Sequence, residues 1–183
     1  MRLFLQIYLI VFLIMPYLEG AKKKPRNVYI LETKYDVNKE YVKRLEVNIS
    51  DNKTSISILF ETKQVFNELW ASLAISSWQK QTNIFRPIIT YDIELCDTLA
   101  RIKSSNIHML NTWVMNFLKY GNLSSTCPFE KNLYYFENWK IEKDSIPAFA
   151  PNGKFRTYVK FYKKMADNSK EMIGNTEMTI ELK

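Results

Sequence analysis

The chain has 183 residues, with 26 Lys and Arg against 19 Asp and Glu, a net charge of +7. That length supports a domain with a substantial core, and no internal repeat or low-complexity segment interrupts it. The lysines are scattered and no nucleic-acid motif accompanies them, which excludes a nucleic-acid partner; the charge fits at most a weak attraction to anionic lipid surfaces.

Residues 3–18, "LFLQIYLIVFLIMPYL", form an apolar run after Arg2, broken only by Gln6 and ended by Pro16. The run is short for a helix that must cross ~30 Å of hydrocarbon. With Gly20 and Ala21 following, residues 1–20 read as a cleaved signal peptide. The "KKKPR" that comes next is the charge placement of an uncleaved anchor, so that alternative stays open.

From residue 27 the pattern alternates as strands do. "NVYILETKY" (27–35) is the first strand. In "YVKRLEVNIS", Tyr41, Leu45, Val47 and Ile49 share one face, and the opposite face presents Asn48. "SDNKT" is a turn by composition, and "SISILFE" returns with Ile56, Ile58 and Phe60 on one side. This is a hairpin with Asn52 at its tip. Further strands are expected at 65–75, 85–95, 132–142, 155–164 and 176–182, the "PNGK" turn at 151–154 opening the seventh. In that strand Phe155, Val159 and Phe161 alternate with Arg156, Tyr158, Lys160 and Tyr162.

One segment departs from this rhythm. Between Asp97 and Tyr120, Leu99, Ile102, Leu110, Trp113, Val114, Phe117 and Leu118 recur at spacings of three and four. That predicts a helix over about 97–120, with Asp97 as N-cap, Gly121 just past its end and "SSN" at 104–106 as a possible break. Eight strands and one helix predict a mainly β chain: one domain over 21–183, built as a two-layer β-sandwich with one flanking α-helix.

The chemistry follows from compartment. Asn48, Asn52 and Asn122 each begin an Asn-x-Ser/Thr glycan acceptor, and three such sites behind a leader predict a secreted, extracellular glycoprotein. Two cysteines there pair most simply as a Cys96–Cys127 disulfide, stapling the start of the helix to the loop beyond its end. A zinc site or catalytic thiol lacks partners, because His108 is the one histidine and no CxxC occurs. His108 equally lacks the constellation of a hydrolytic triad. Asp92, Glu94 and Asp97 crowd a strand-to-helix corner, but nothing selects them as a catalytic pair. No phosphate loop or metal-ligand cluster is present, so no catalytic residues, no metal and no cofactor are expected.

Three stretches carry a resemblance: "YDIELCDTLARI", "NTWVMNFLKYGNLSSTCPFEKNLYYFENW" and "IPAFAPNGKFRTYVKFY". They resemble a family of small secreted insect proteins of unknown function, typified in flies. Asn122, Leu123, Cys127, Pro128, Tyr134, Tyr135, Pro151, Gly153, Phe155 and Arg156 match its pattern, and the resemblance spans about residues 28 to 165. That family is akin to the chemosensory CheB proteins and more remotely to ML lipid-recognition and ganglioside-activator proteins. The resemblance implies an immunoglobulin-like (ML-like) sandwich whose sheets part to admit a lipid or other apolar ligand, with no catalytic residues.

Aromatic residues make up 14% of the chain, Trp70, Trp78, Trp113 and Trp139 among them. Alone they fit a closed core as well as a lined cavity; the resemblance adds weight to the cavity. Trp70, Trp113, Phe117 and Tyr135 are the residues expected to line it, with the helix as lid or side wall. The expected partner is an apolar small molecule or lipid, bound by a monomer in chemosensation or extracellular transport. The alternative is a secreted protein–protein interaction module with a closed core, docking an extracellular protein on the exposed row Tyr158, Lys160 and Tyr162.

Overall fold

The computed structural model describes residues 26–101, 108–142, 145–147 and 150–183. The expected leader at 1–20 and the expected break at 104–106 lie outside them, as does the side chain of His108. In chain order the elements are β1 (Val28–Val37), β2 (Val42–Ile49), β3 (Ile56–Thr62), β4 (Trp70–Gln79), β5 (Ile84–Glu94), α1 (Leu95–Ala100), α2 (His108–Leu118), β6 (Leu133–Trp139), β7 (Gly153–Lys164) and β8 (Lys170–Leu182). They form two antiparallel sheets, one ordered β1-β8-β7-β4-β5 and the other β2-β3-β6. The chain is a mainly β sandwich.

Local chemistry explains the hairpins. At the β2–β3 tip the Asn52 side-chain oxygen accepts hydrogen bonds from the Ser50 hydroxyl and from both the amide and hydroxyl of Thr54. The β4–β5 and β7–β8 tips each place an asparagine in the left-handed region, Asn83 (φ 58°) and Asn168 (φ 64°), where asparagine is better tolerated than most residues. Pro87 cannot donate to a ladder, and it sits on β5, the edge strand of the larger sheet, beside a register shift at Ile75/Ser76.

Several sequence expectations are corrected. The strand expected at 65–75 begins at Trp70 and runs to Gln79. Phe66 pairs instead with Phe129 through two backbone bonds of 2.8 and 2.9 Å, tying the crossover between sheets to the loop before β6. The helix expected over 97–120 is two helices, and Asp97 is not the N-cap. Glu94 is: its carboxylate accepts from the amides of Cys96 and Asp97, leaving Asp97 in the first turn to pair with Arg101 at 3.2 Å. Gly121 does not cap a helix. It bridges to Phe136, and Tyr120–Asn122 extends the free edge of β6 through Asn122 N to Tyr135 O (3.2 Å) and Glu137 N to Tyr120 O (2.9 Å).

The exposed row on β7 is also corrected. Tyr162 does face outwards, yet it is 1% exposed. Trp70 stacks on it, the Lys170 ammonium lies 4.3 Å over its ring, and its hydroxyl donates to Asp92. Tyr158 is half-buried, so of the three only Lys160 is exposed.

One buried cluster lies at the end of the sandwich beside α1. Tyr41, Val42, Phe66, Leu99, Phe129 and Ile173 form a buried cluster, with Val37, Leu69, Leu95 and Phe161 packed around it. A register shift between Val42 and Arg44 lets both Tyr41 and Val42 turn inwards. The Cys96–Cys127 disulfide joins the first turn of α1 to the loop before β6, with Cα atoms 5.5 Å apart, and both cysteines pack on this cluster. Cys127–Pro128 is a cis peptide bond.

Candidate functional site: the space between the sheets and helix α2

Pairing register fixes which residues face the interior, because directly opposed residues share a face and successive residues alternate. Ala71, buried, pairs with Phe161, which joins the core cluster, so their parity is inward. On the larger sheet that parity includes Leu73, Ile75, Tyr91, Ile93, Phe155, Thr157, Val159, Thr176, Met178 and Ile180. On the smaller sheet it includes Leu45, Val47, Ile58, Phe60, Tyr134 and Phe136. None of these side chains is charged, but Arg86, which pairs with Ser77 opposite Phe155, has the same parity near the start of β5.

Their burial is uneven. Tyr134 and Phe136 are closed off from solvent, and Phe60 stacks on both at 5.1 and 6.3 Å between ring centroids. On the larger sheet, Leu73, Ile75, Tyr91, Ile93, Phe155, Val159, Met178 and Ile180 are each only half-buried. The inner face of the larger sheet is thus only part-buried, while fully buried residues lie both in the cluster beside α1 and, at Ile30, Ile56 and Leu182, towards the other end.

Helix α2 packs against the inner face of β6. The Phe117 ring lies 3.8 Å from that of Phe136 and meets Trp139 edge-on at 5.6 Å. Trp113, one turn earlier, donates its indole N–H to the carbonyl of Ser145 at 2.7 Å. Trp139 in turn donates to the Asn116 side-chain oxygen at 3.1 Å. Two tryptophan N–H bonds thus fasten α2 to β6 and to the segment that follows it.

Of the four residues expected to line a cavity, Trp113 and Phe117 lie together on this helix. Trp70 and Tyr135 do not join them. Trp70 has the parity of Ser72, Lys160 and Asp92, on the outer face, with the Lys164 ammonium 3.1 Å over its ring. Tyr135 is 42% exposed and points opposite to Tyr134 and Phe136. Period-2 geometry excludes both, and a reading of aromatic content ignores parity. Two polar residues of this contact escaped the sequence reading: Asn116, 4% exposed, and Ser145, 5% exposed. An asparagine three residues after Trp113 on an apolar helix face was the available signal for the first; Ser145 has none.

The acidic corner is structural. Glu94 caps α1, Asp97 pairs with Arg101, and Asp92 accepts from Tyr162 and lies 3.1 Å from the Lys170 ammonium. The Tyr162 hydroxyl, then Lys170, hold the Asp92 carboxyl below its ordinary range. Among the described residues no group of His, Cys, Asp and Glu is arranged to hold a metal.

The three glycan acceptors occupy different settings. Asn48 is exposed on the outer face of β2, and Asn52 stands at the hairpin tip. Asn122 is drawn into the β6 edge, its side-chain nitrogen donating to Leu133 O (3.0 Å) and its oxygen accepting from Tyr135 N (2.9 Å). Among the described residues no helix is long and apolar enough to cross a membrane.

Residues 71–157 match the family model described as "Protein of unknown function (DUF1091)", a segment running from β4 to the first residues of β7 that contains both cysteines and α2. No curated protein matches the chain. Among solved structures the chain is similar to chicken MD-1 complexed with lipid IVa, at 12% identity over 86% of this chain and 96% of that one, with a TM-score of 0.39.

Proposed function

We propose that this chain is a secreted, non-catalytic binding protein that holds an apolar small molecule or lipid between its two sheets, with α2 as the side wall. The observation that carries the reading is the inner face of the larger sheet, apolar over four strands and half-buried from Leu73 to Ile180. Protein interiors pack to crystal-like density, and binding sites for small molecules are apolar spaces with a few polar anchors. A face of this composition, left in contact with solvent, fits such a space.

Export is supported by the disulfide, since such bonds persist in oxidising compartments. In this reading Asn48, Asn52 and Asn122 carry glycans, residues 1–20 are the leader and 21–183 the mature single-domain chain, working as a monomer in chemosensation or extracellular transport. The net charge of +7 adds at most a weak affinity for anionic membrane surfaces. The structural uses of Asp92, Glu94 and Asp97 support a role without catalysis.

The test is native mass spectrometry and organic extraction of the protein secreted from eukaryotic cells, followed by titration with N-phenyl-1-naphthylamine. A co-purifying apolar molecule, or saturable probe fluorescence at one site, is expected. A ligand-free protein that leaves the probe dark would refute the reading and favour a closed interaction module.

A further inference from the structure

The side chain of Asn122 acts as one more peptide unit along the edge of β6. The backbone supplies two rungs, Asn122 N to Tyr135 O at 3.2 Å and Glu137 N to Tyr120 O at 2.9 Å. The side-chain amide then carries the ladder on, its oxygen accepting from Tyr135 N at 2.9 Å and its nitrogen donating to Leu133 O at 3.0 Å. Leu133 and Tyr135 offer those two groups from one edge of one strand. An amide reaches both at once only through the hydrogen that lies on the same side of its C–N bond as its oxygen. Asn122 is also the acceptor of the Asn-Leu-Ser triplet at 122–124. Attachment of a sugar turns its nitrogen into a secondary amide, which prefers the trans arrangement by roughly two orders of magnitude. In that arrangement the sugar carbon takes the oxygen's side and the remaining hydrogen points away from the strand. The sugar would be driven into the Leu133 carbonyl oxygen, and the donor to that oxygen would be gone.

Resting on the export reading above, and narrowing its third glycan site, we infer that a glycan on Asn122 and the closed edge of β6 exclude each other. The sugar is taken only by chains whose Tyr120–Asn122 segment has not docked, and those chains keep the Leu133–Tyr135 edge open. Asn48 and Asn52 face no such choice. Asn48 is exposed on β2, an edge strand of the smaller sheet. Asn52 makes its turn through its side-chain oxygen, which a glycosylated amide retains. Docking of the segment depends in turn on Gly121, where an added Cβ would meet the Tyr135 carbonyl.

The experiment is site-by-site glycan occupancy, read from glycopeptide masses of the full chain secreted by eukaryotic cells. It compares the unsubstituted chain with Gly121→Ala, which leaves the acceptor triplet intact and holds the segment off β6. Asn48 and Asn52 should be filled alike in both chains, and Asn122 severalfold more in Gly121→Ala. Within the unsubstituted chain, any form that bears the Asn122 glycan should exchange the Tyr135 amide hydrogen severalfold faster than the form without it, because Asn122 no longer accepts from it. Occupancy at Asn122 that stays the same in Gly121→Ala would overturn the exclusion, as would a glycan-bearing form that protects Tyr135 fully. Should Gly121→Ala not be secreted, expression of the unsubstituted chain with dithiothreitol, which delays the Cys96–Cys127 bond beside this segment, takes its place and should raise Asn122 alone. If Asn48 and Asn52 are bare as well, the glycoprotein reading itself fails and the exclusion falls with it.

Discussion

Gly121→Ala sets its added methyl against closer backbone than a substitution at any other described glycine. A Cβ at Gly121 would lie 2.1 Å from the carbonyl oxygen of Tyr135 and 2.6 Å from Cδ1 of Phe136. The first neighbour is backbone of β6 and cannot rotate away, so the Tyr120–Asn122 segment must separate from the strand. Separation breaks the bonds from Asn122 N to Tyr135 O and from Glu137 N to Tyr120 O, each worth ~1 kcal/mol. It also strains the Phe117–Phe136 contact, worth about 0.5–1.5 kcal/mol beyond area burial. The sum is about 3 kcal/mol, which lowers the melting temperature of a chain this size by about 6 to 12 °C.

Gly153→Ala is the matched control. Gly153 has φ +148°, which favours glycine, but an added Cβ meets nothing within 4 Å. Its cost is conformational alone, about 1–3 kcal/mol for a side chain held at positive φ. Thermal melts of the two secreted variants by circular dichroism separate the cases. If Gly121→Ala melts within about 3 °C of the unsubstituted chain, the close approach of this segment to β6 is not what the glycine serves.

Replacing both cysteines, Cys96→Ala with Cys127→Ala, opens a loop of sequence separation 31. The chain-entropy relation assigns that loop ~3.7 kcal/mol, so the melting temperature should fall by about 7 to 15 °C; a shift under 3 °C would show that the staple is dispensable. The Tyr41 hydroxyl is pushed up from 10.0 to about 12 by its hydrogen bond to Glu171, then by burial and the nearby carboxylates. A raised folded-state value gives stability that is complete below pH ~10 and is lost as pH climbs towards 12. Tyr41→Phe should therefore flatten the alkaline fall in urea midpoint between those values, and an unchanged slope would place Tyr41 outside that linkage.

The sequence carried the strands and the disulfide because both rest on local signals. Alternation finds the eight strands, although it places β4 about five residues early and starts β8 six residues late, and cysteine arithmetic leaves one pairing. The errors arose where tertiary contacts override local pattern. Phe66 has strand propensity but finds its partner in Phe129, outside either sheet. Glu94 rather than Asp97 caps α1, since a strand end one residue before Leu95 already holds a carboxylate in reach of the two free amides. Trp70 and Tyr135 have the composition of cavity residues but the wrong parity. Parity could have been counted from Ala71 and Phe136 had the inward faces been known. Asn116 left a signal, a polar residue on an apolar helix face, but its partner Trp139 lies 23 residues on and only the fold brings them together.

The placement of α2 joins stability to binding. On one side the disulfide anchors the loop that follows the helix to the start of α1; on the other, Tyr120–Asn122 is laced to β6 through Gly121 and the Asn122 side chain. Between these fixed points the helix presents Trp113, Asn116 and Phe117 to Ser145, Trp139 and Phe136. Loosening either fastening should release the Phe117–Phe136 contact and with it the side of the sandwich that α2 covers. Gly121→Ala, measured below its melting transition by N-phenyl-1-naphthylamine titration, should therefore weaken probe uptake. Unchanged uptake would show that α2 takes no part in holding an apolar ligand.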